Sequence, residues 1–249
     1  MSEADEASRA LGDMLGLMAL TCPGGWAERR EGASASACRT IAAPMNRAIA
    51  ELPSADAADV AALVERLADL PHIVETRPGA DAVEDWCRSR GMTATPGVPL
   101  MTCSATAVTM PPYDEATALR SLTDMAEHVD VAAPSYDRPR DWLAALDGST
   151  LFDQDFGAGL VADVDGEPAA TGISIVAGEW VGVFIIGTVP AYRRRGLGAA
   201  LTAKLVVDAV ARNGVTRALL QSSAMGRGVY ASLGFATVDE WTRWTPATP

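Results

Sequence analysis

One stretch restricts the fold of this chain more than any other. It runs Ile185-Ile186-Gly187-Thr188-Val189-Pro190-Ala191-Tyr192-Arg193-Arg194-Arg195-Gly196-Leu197-Gly198 and passes without a break into the apolar helical pattern Ala199 to Ala211. A β-branched strand, a proline stop, three consecutive cations and a Gly-x-Gly turn must hand an extended chain over to a helix. The N–H groups of a first helical turn have no intrahelical partner, and the helix dipole adds partial positive charge. Glycine lets an anion approach that backbone closely. The unit is therefore built like a phosphate or diphosphate cradle. The plainer alternative is a strand–turn–helix carrying a solvated arginine cluster.

Charge decides what such a cradle can serve. The chain has 249 residues and a formal net charge of −12, which argues against nonspecific nucleic-acid binding. A polyanionic ligand then needs a local basic site, and Arg193–Arg195 is the densest one; lysine occurs only as Lys204. Gly196-x-Gly198 lacks the third glycine of a dinucleotide fingerprint, since Leu201 stands there, and no Gly-Lys-Ser/Thr phosphate loop occurs. Cys22, Cys38, Cys87 and Cys103 are widely spaced, and with only His72 and His128 there is no zinc-type spacing. We expect no metal, and free thiols in a reducing cytoplasm. The apolar stretch Leu11–Leu20 follows Glu3, Asp5 and Glu6 and is interrupted by Gly12 and Asp13, so it reads as an amphipathic helix rather than a signal peptide. No run approaches the ~18 apolar residues of a membrane span.

Periodicity and turn residues give the organisation. In the first half, helices are expected at Asp5–Leu20, from an N-cap at Ser54 to about Leu70, and at Asp81–Arg90. Strands are expected within Trp26–Thr40, at His72–Thr76 and within Leu100–Met110, with a short strand or turn at Met45–Leu52. Pro111-Pro112 marks a boundary between an N-terminal region, 1–110, and a second domain, 111–249. The second half is expected to open with helices at Asp114–Val129 and Arg138–Leu146. Strands Gly157–Val164, Ala169–Val176 and Trp180–Thr188 follow, joined by Asp165-Gly166-Glu167 and Ala177-Gly178-Glu179. Helix Gly198–Arg212, strand Arg217–Gln221, helix Gly226–Leu233 and strand Thr237–Trp244 complete it. Hairpins mixed with a crossover predict an α/β (α+β) fold: a mixed, mainly antiparallel sheet flanked by helices, with a smaller N-terminal α/β region.

Two motifs carry a family resemblance. Arg193-Arg194-Arg195-Gly196-Leu197-Gly198 follows the fourth strand of the second half, and Tyr230-Ala231-Ser232-Leu233-Gly234-Phe235 lies downstream. In order and separation they resemble the GCN5-related N-acetyltransferase (GNAT) superfamily, over residues 105–245. The first half resembles it more faintly through His72–Gly79, Trp86–Met92 and Pro99–Met101, as in a tandem form with one degenerate half; a family-specific extension is the alternative.

The resemblance implies acetyl-CoA as cosubstrate, held by the backbone of Ile186, Gly187, Thr188 and Val189 along its pantetheine arm. It implies that Arg193, Arg194, Arg195, Gly196, Leu197, Gly198 and Ala199 hold the pyrophosphate. Tyr230 is the implied general acid for the leaving thiolate, and a phenol with an ordinary pKa near 10 can donate that hydrogen bond. Ser223 stands seven residues before it, where the family often has asparagine. Ala218 stands where several members have a glutamate base, so no base is named. The expected reaction is direct attack by an amine in a ternary complex, with the acceptor unidentified and a homodimer left open. A non-catalytic acetyl-CoA sensor is the alternative. Trp241, Trp244, Asp124, Glu127, Asp130 and Glu179 are each expected to be structural or solvated rather than acceptor-binding.

Overall fold

The computed structural model describes residues 1–113 and 117–247. In chain order the first half contains α1 (Glu3–Thr21), β1 (Trp26–Arg30), β2 (Ala33–Ala37), β3 (Asn46–Ala50), α2 (Ala57–Glu65), β4 (Ile73–Thr76), α3 (Asp81–Ser89) and β5 (Thr93–Ser104). The second half contains β6 (Thr117–Ser121), α4 (Met125–Ser135), β7 (Gly157–Val164), β8 (Glu167–Ala177), β9 (Trp180–Thr188), α5 (Leu197–Asn213), β10 (Arg217–Gln221), α6 (Arg227–Ser232) and β11 (Ala236–Thr245). From α1 to β5, and again from α4 to β11, the order is helix, three strands, helix, strand, helix, strand.

Among the described residues the strands form one eleven-stranded sheet, ordered β1-β2-β3-β4-β11-β5-β10-β9-β8-β7-β6. It is mixed and mainly antiparallel: only β3 with β4 and β9 with β10 run parallel. The last strand of each half is inserted into the other. β11 lies between β4 and β5, and β5 lies between β11 and β10.

Alternation along the strands sends side chains into separate layers. On β10, Leu219 joins the core made by α1 and α4, while Ala218 and Leu220 join the layer under α5. Alanines of β2 and β3 pack with Val60 and Leu63 of α2 in a third layer. α1 contacts β1 and β2 at one end of the sheet and β8 towards the other, so the sheet curves around this helix. A capping box of Ser2 and Asp5 starts α1. Among the described residues no helix is long and apolar enough to cross a membrane.

Four local expectations change. Where one helix was expected over Asp114–Val129, residues 117–121 form the edge strand β6, paired with β7 from Thr117/Val164 to Ser121/Leu160. The helix starts only at Met125, capped by the Asp124 carboxylate on the Ala126 N–H at 2.8 Å. Asp114–Ala116, the first part of that expected helix, lie outside the described residues. Arg138–Leu146 forms two 3-10 turns, Arg140–Trp142 and Ala144–Leu146, divided at Leu143 with φ −117°. α2 is shorter than expected and capped by Asp56 rather than Ser54. β5 begins at Thr93, ahead of the expected Leu100.

Candidate functional site

The site begins where two parallel strands part. β10 pairs with β9 only from Arg217/Trp180 to Leu219/Gly182. Beyond that point β10 stays on β5, through Leu220/Met101 and Gln221/Leu100, while β9 stays on β8 as far as Thr188/Ala170. From Val183 onward the β10-facing edge of β9 has no strand partner among the described residues, which leaves room beside it for an extended ligand, although side chains of Tyr136 and Arg193 take the Ile186 and Thr188 carbonyls.

A β-bulge deepens this wedge. The β8–β9 register slips between Thr171/Gly187 and Ile173/Phe184, which sets Ile185 and Ile186 against Gly172. Ile185 adopts φ 49°, a left-handed conformation that a β-branched residue rarely takes. Gly172 leaves room there for the Ile186 side chain, whose Cδ1 would stand 2.0 Å from a Cβ at this position. Bulges of this kind re-aim the backbone beside active sites.

At the end of β9 the chain turns through Pro190–Tyr192, with Arg194 at φ 68° and Gly196 at φ 80°. Gly196 is the N-cap of α5, and among the described residues no side chain caps it, which leaves the first amides of a seventeen-residue helix without a side-chain partner. The preceding segment forms one wall: a Cβ on Gly196 would stand 3.1 Å from Pro112 O and 3.5 Å from Tyr113 Cα. Leu197 is buried, Gly198 and Ala199 are half-buried, and Arg194 and Arg195 are exposed. The Arg195 guanidinium lies 5.4 Å from the centroid of the Tyr192 ring. Arg193 does something else. It donates from Nη2 to Ser135 O (3.0 Å) and from Nε to Thr188 O (3.2 Å), bracing the end of α4 against the end of β9. The Val189 amide donates to Ala169 O at 2.9 Å, so it is engaged within the sheet.

Across the wedge, α6 carries Tyr230. Its ring packs against Phe235 with centroids 6.3 Å apart, and it passes over Gly226, where a Cβ would meet Tyr230 Cε2 at 2.9 Å. No described residue bonds its hydroxyl, and burial pushes its pKa up, so it stays a neutral donor. Ser223 Oγ accepts the Gly226 N–H at 3.1 Å and shapes the turn into α6.

A second phenol, missed in the sequence, faces the same space. Tyr136 ends α4; its hydroxyl donates to Ile186 O at 3.1 Å, and its ring lies 5.6 Å from that of Trp142. Burial of the hydroxyl raises its pKa, and the neighbouring Tyr230 adds to the rise. Nothing in Pro134-Ser135-Tyr136-Asp137 marks it, because its partner lies fifty residues away.

Other sequence candidates stand apart from the wedge. Ala218 is fully buried; further along β10, Gln221 is held by Arg47 (2.9 Å) and Glu75 (3.4 Å). Glu127 pairs with Arg120 and Asp130 with Arg140. Trp241 and Trp244 are buried in the sheet, and Glu179 accepts from Thr216 in its hairpin. A cavity of about 540 Å³ between α1, β1, β2 and the β8–β9 turn lies elsewhere, lined in part by Leu17, Arg29 and Val176.

Residues 119–235 match the model of the acetyltransferase (GNAT) family. No curated protein matches the chain. Among solved structures, the fold is similar to a GCN5-related N-acetyltransferase from Kribbella flavida, at 20% identity over 100% of this chain and 97% of that one, with TM-score 0.70. It is also similar to a GCN5-related N-acetyltransferase-like protein from Streptococcus suis 89/1591, at 13% identity over 96% and 98% of the two chains, TM-score 0.59. A tandem GNAT protein from the clavulanic acid biosynthesis pathway aligns at 13% identity over 98% and 96%, TM-score 0.55. At these identities the likeness speaks to the fold alone.

Proposed function

We propose, from the premise that the chain is a member of the GCN5-related N-acetyltransferase superfamily through residues 119–235, that it transfers an acetyl group from acetyl-CoA to a primary amine. The fold is one that supports acyl transfer. The observation that carries the finer reading is the wedge between β9 and β10 ending in the uncapped helix start at Gly196. An extended thioester arm can pair with the open edge of β9 while its diphosphate meets the first amides of α5 and the exposed Arg194 and Arg195.

In this reading the amine nitrogen bonds to the thioester carbonyl carbon, the C–S bond breaks, the leaving thiolate takes a proton from Tyr230, and the proton shed by the acylated nitrogen passes through water to restore the phenol. Backbone N–H groups of the bulge at Ile185 and Ile186 stabilise the oxyanion, and the Val189 amide, engaged within the sheet, takes no part. Proximity in a ternary complex supplies much of the remaining acceleration. The amine arrives neutral or loses its proton to water. Residues 111–249 carry the site, and residues 1–110 serve as an accessory, GNAT-like half that completes the sheet through β5.

Calorimetric titration with acetyl-CoA tests the reading: a 1:1 heat is expected, and no heat from any coenzyme A derivative would overturn it. A second reading, an acetyl-CoA sensor without turnover, draws on the fully buried Ala218 at the position where a base is often found. Thiolate release across an amine panel separates the two.

A further inference from the structure

Beside the bulge, the end of α4 forms a braced aromatic wall. Gly187 lets this helix approach β9: a Cβ there would stand 2.6 Å from Ser135 Cβ and 3.7 Å from Tyr136 Cε2. The Tyr136 ring is fixed at both ends, by its hydroxyl on Ile186 O at 3.1 Å and by Trp142 at 5.6 Å with a 52° tilt. Trp142 is itself packed against the core shared by α1 and α4. Arg193 locks the helix end to the strand through Ser135 O and Thr188 O. Yet Tyr136 is 40% exposed, so part of the ring borders open space. An arm running from Gly196 along β9 passes Thr188, Gly187 and Ile186 in turn. Its thioester then falls beside Ile186, and the acyl chain faces the ring. A wall held on both sides in a close-packed setting does not give way to extra methylenes.

We propose that Tyr136, braced by Trp142, is the acyl-length selector of this site, admitting acetyl and rejecting straight chains of four carbons. The inference rests on the acyl-CoA reading above and adds to it the class of acyl group. A single methylene in a shaped apolar site is worth roughly 10- to 200-fold in discrimination.

The test measures dissociation constants for coenzyme A, acetyl-CoA and butyryl-CoA by calorimetry on the full chain. The wild type should bind acetyl-CoA at least about tenfold more tightly than butyryl-CoA. Tyr136→Ala should bring the two within about twofold, while Tyr136→Phe, which keeps the ring, should retain the preference. Trp142→Ala removes the brace and should relax the ratio in the same direction, which covers the case in which Tyr136→Ala does not fold. Equal affinities in the wild type, or an undiminished ratio in both alanine variants, overturn the selector while coenzyme A binding still stands. If coenzyme A itself is not bound, the acyl-CoA reading fails and takes the selector with it.

Discussion

At the junction of β3 with α2, the Asp56 carboxylate accepts the N–H groups of Ala58 (2.7 Å) and Asp59 (3.3 Å). At the matching junction of β9 with α5, the cap is Gly196, with φ 80° and no side chain to bond anything. The strands differ in the same sense. β3 and β4 stay paired from Arg47/Ile73 to Ala50/Thr76, the last residue of both, whereas β9 and β10 part after three pairs. α2 has nine residues and α5 seventeen. Four residues before the positive-φ Gly234 stands Tyr230, half-buried at the wedge; four before the positive-φ Gly91 stands Cys87, buried, its thiol pushed up to about 12 by desolvation. One order of elements thus occurs twice, but among the described residues only the second copy has a helix start with no side-chain cap beside strands that part early.

The contrast can be broken at several points. Tyr230→Phe should lower kcat by about 100- to 10,000-fold, the range for a lost general acid, while acetyl-CoA affinity holds within about twofold. An unchanged rate removes Tyr230 from the chemistry. Gly196→Glu places a carboxylate at φ 80° against Pro112 O and should weaken acetyl-CoA binding by about 100-fold or more, read by calorimetry against a melting control. In the wild type the same titration should give one site per chain; two would mean that the junction capped by Asp56 is open after all.

The halves should also differ under acid. His128 of α4 is fully buried, bonded at Nδ1 to Thr171 (2.8 Å), and desolvation lowers its pKa to about 3. The unfolded chain binds this proton near pH 6.5, so stability is complete above that value and is lost as pH falls towards about 3. The slope should approach 1.4 kcal/mol per pH unit, about 2–3 kcal/mol by pH 4.5, in denaturant melts. His128→Gln should flatten it. The smallest effect belongs to the closed junction: Asp56→Ala should cost about 1 kcal/mol, or roughly 2–4 °C in Tm, without creating a second coenzyme A site.

Much of the second half could be read locally. β7, β9 and β10 fall where alternation and turn residues place them, because Asp165-Gly166 and Gly178 supply the positive φ that tight hairpins need. β6 could not, since Thr-Ala-Leu-Arg-Ser becomes a strand only through its ladder with β7, some forty residues on. The early start of β5 was hidden by Pro96, Gly97 and Pro99, which signal a turn in isolation. In the sheet Pro96 and Gly97 are tolerated opposite a register shift between Trp241 and Arg243, and Pro99 pairs with Glu240. The glycine loop and Tyr230 were visible as motifs. The bracing role of Arg193 and the reach of Tyr136 to Ile186 depend on where α4 docks, a tertiary fact with no local signature.

The insertion of β11 between β4 and β5 has a consequence for how the protein comes into being. During translation, β4 and β5 emerge with a gap between them that residues 236–245 fill, after every other strand of the second half has been made. The nascent chain carries unpaired strand edges until then, so its central seam closes late rather than in step with the synthesis of the first half.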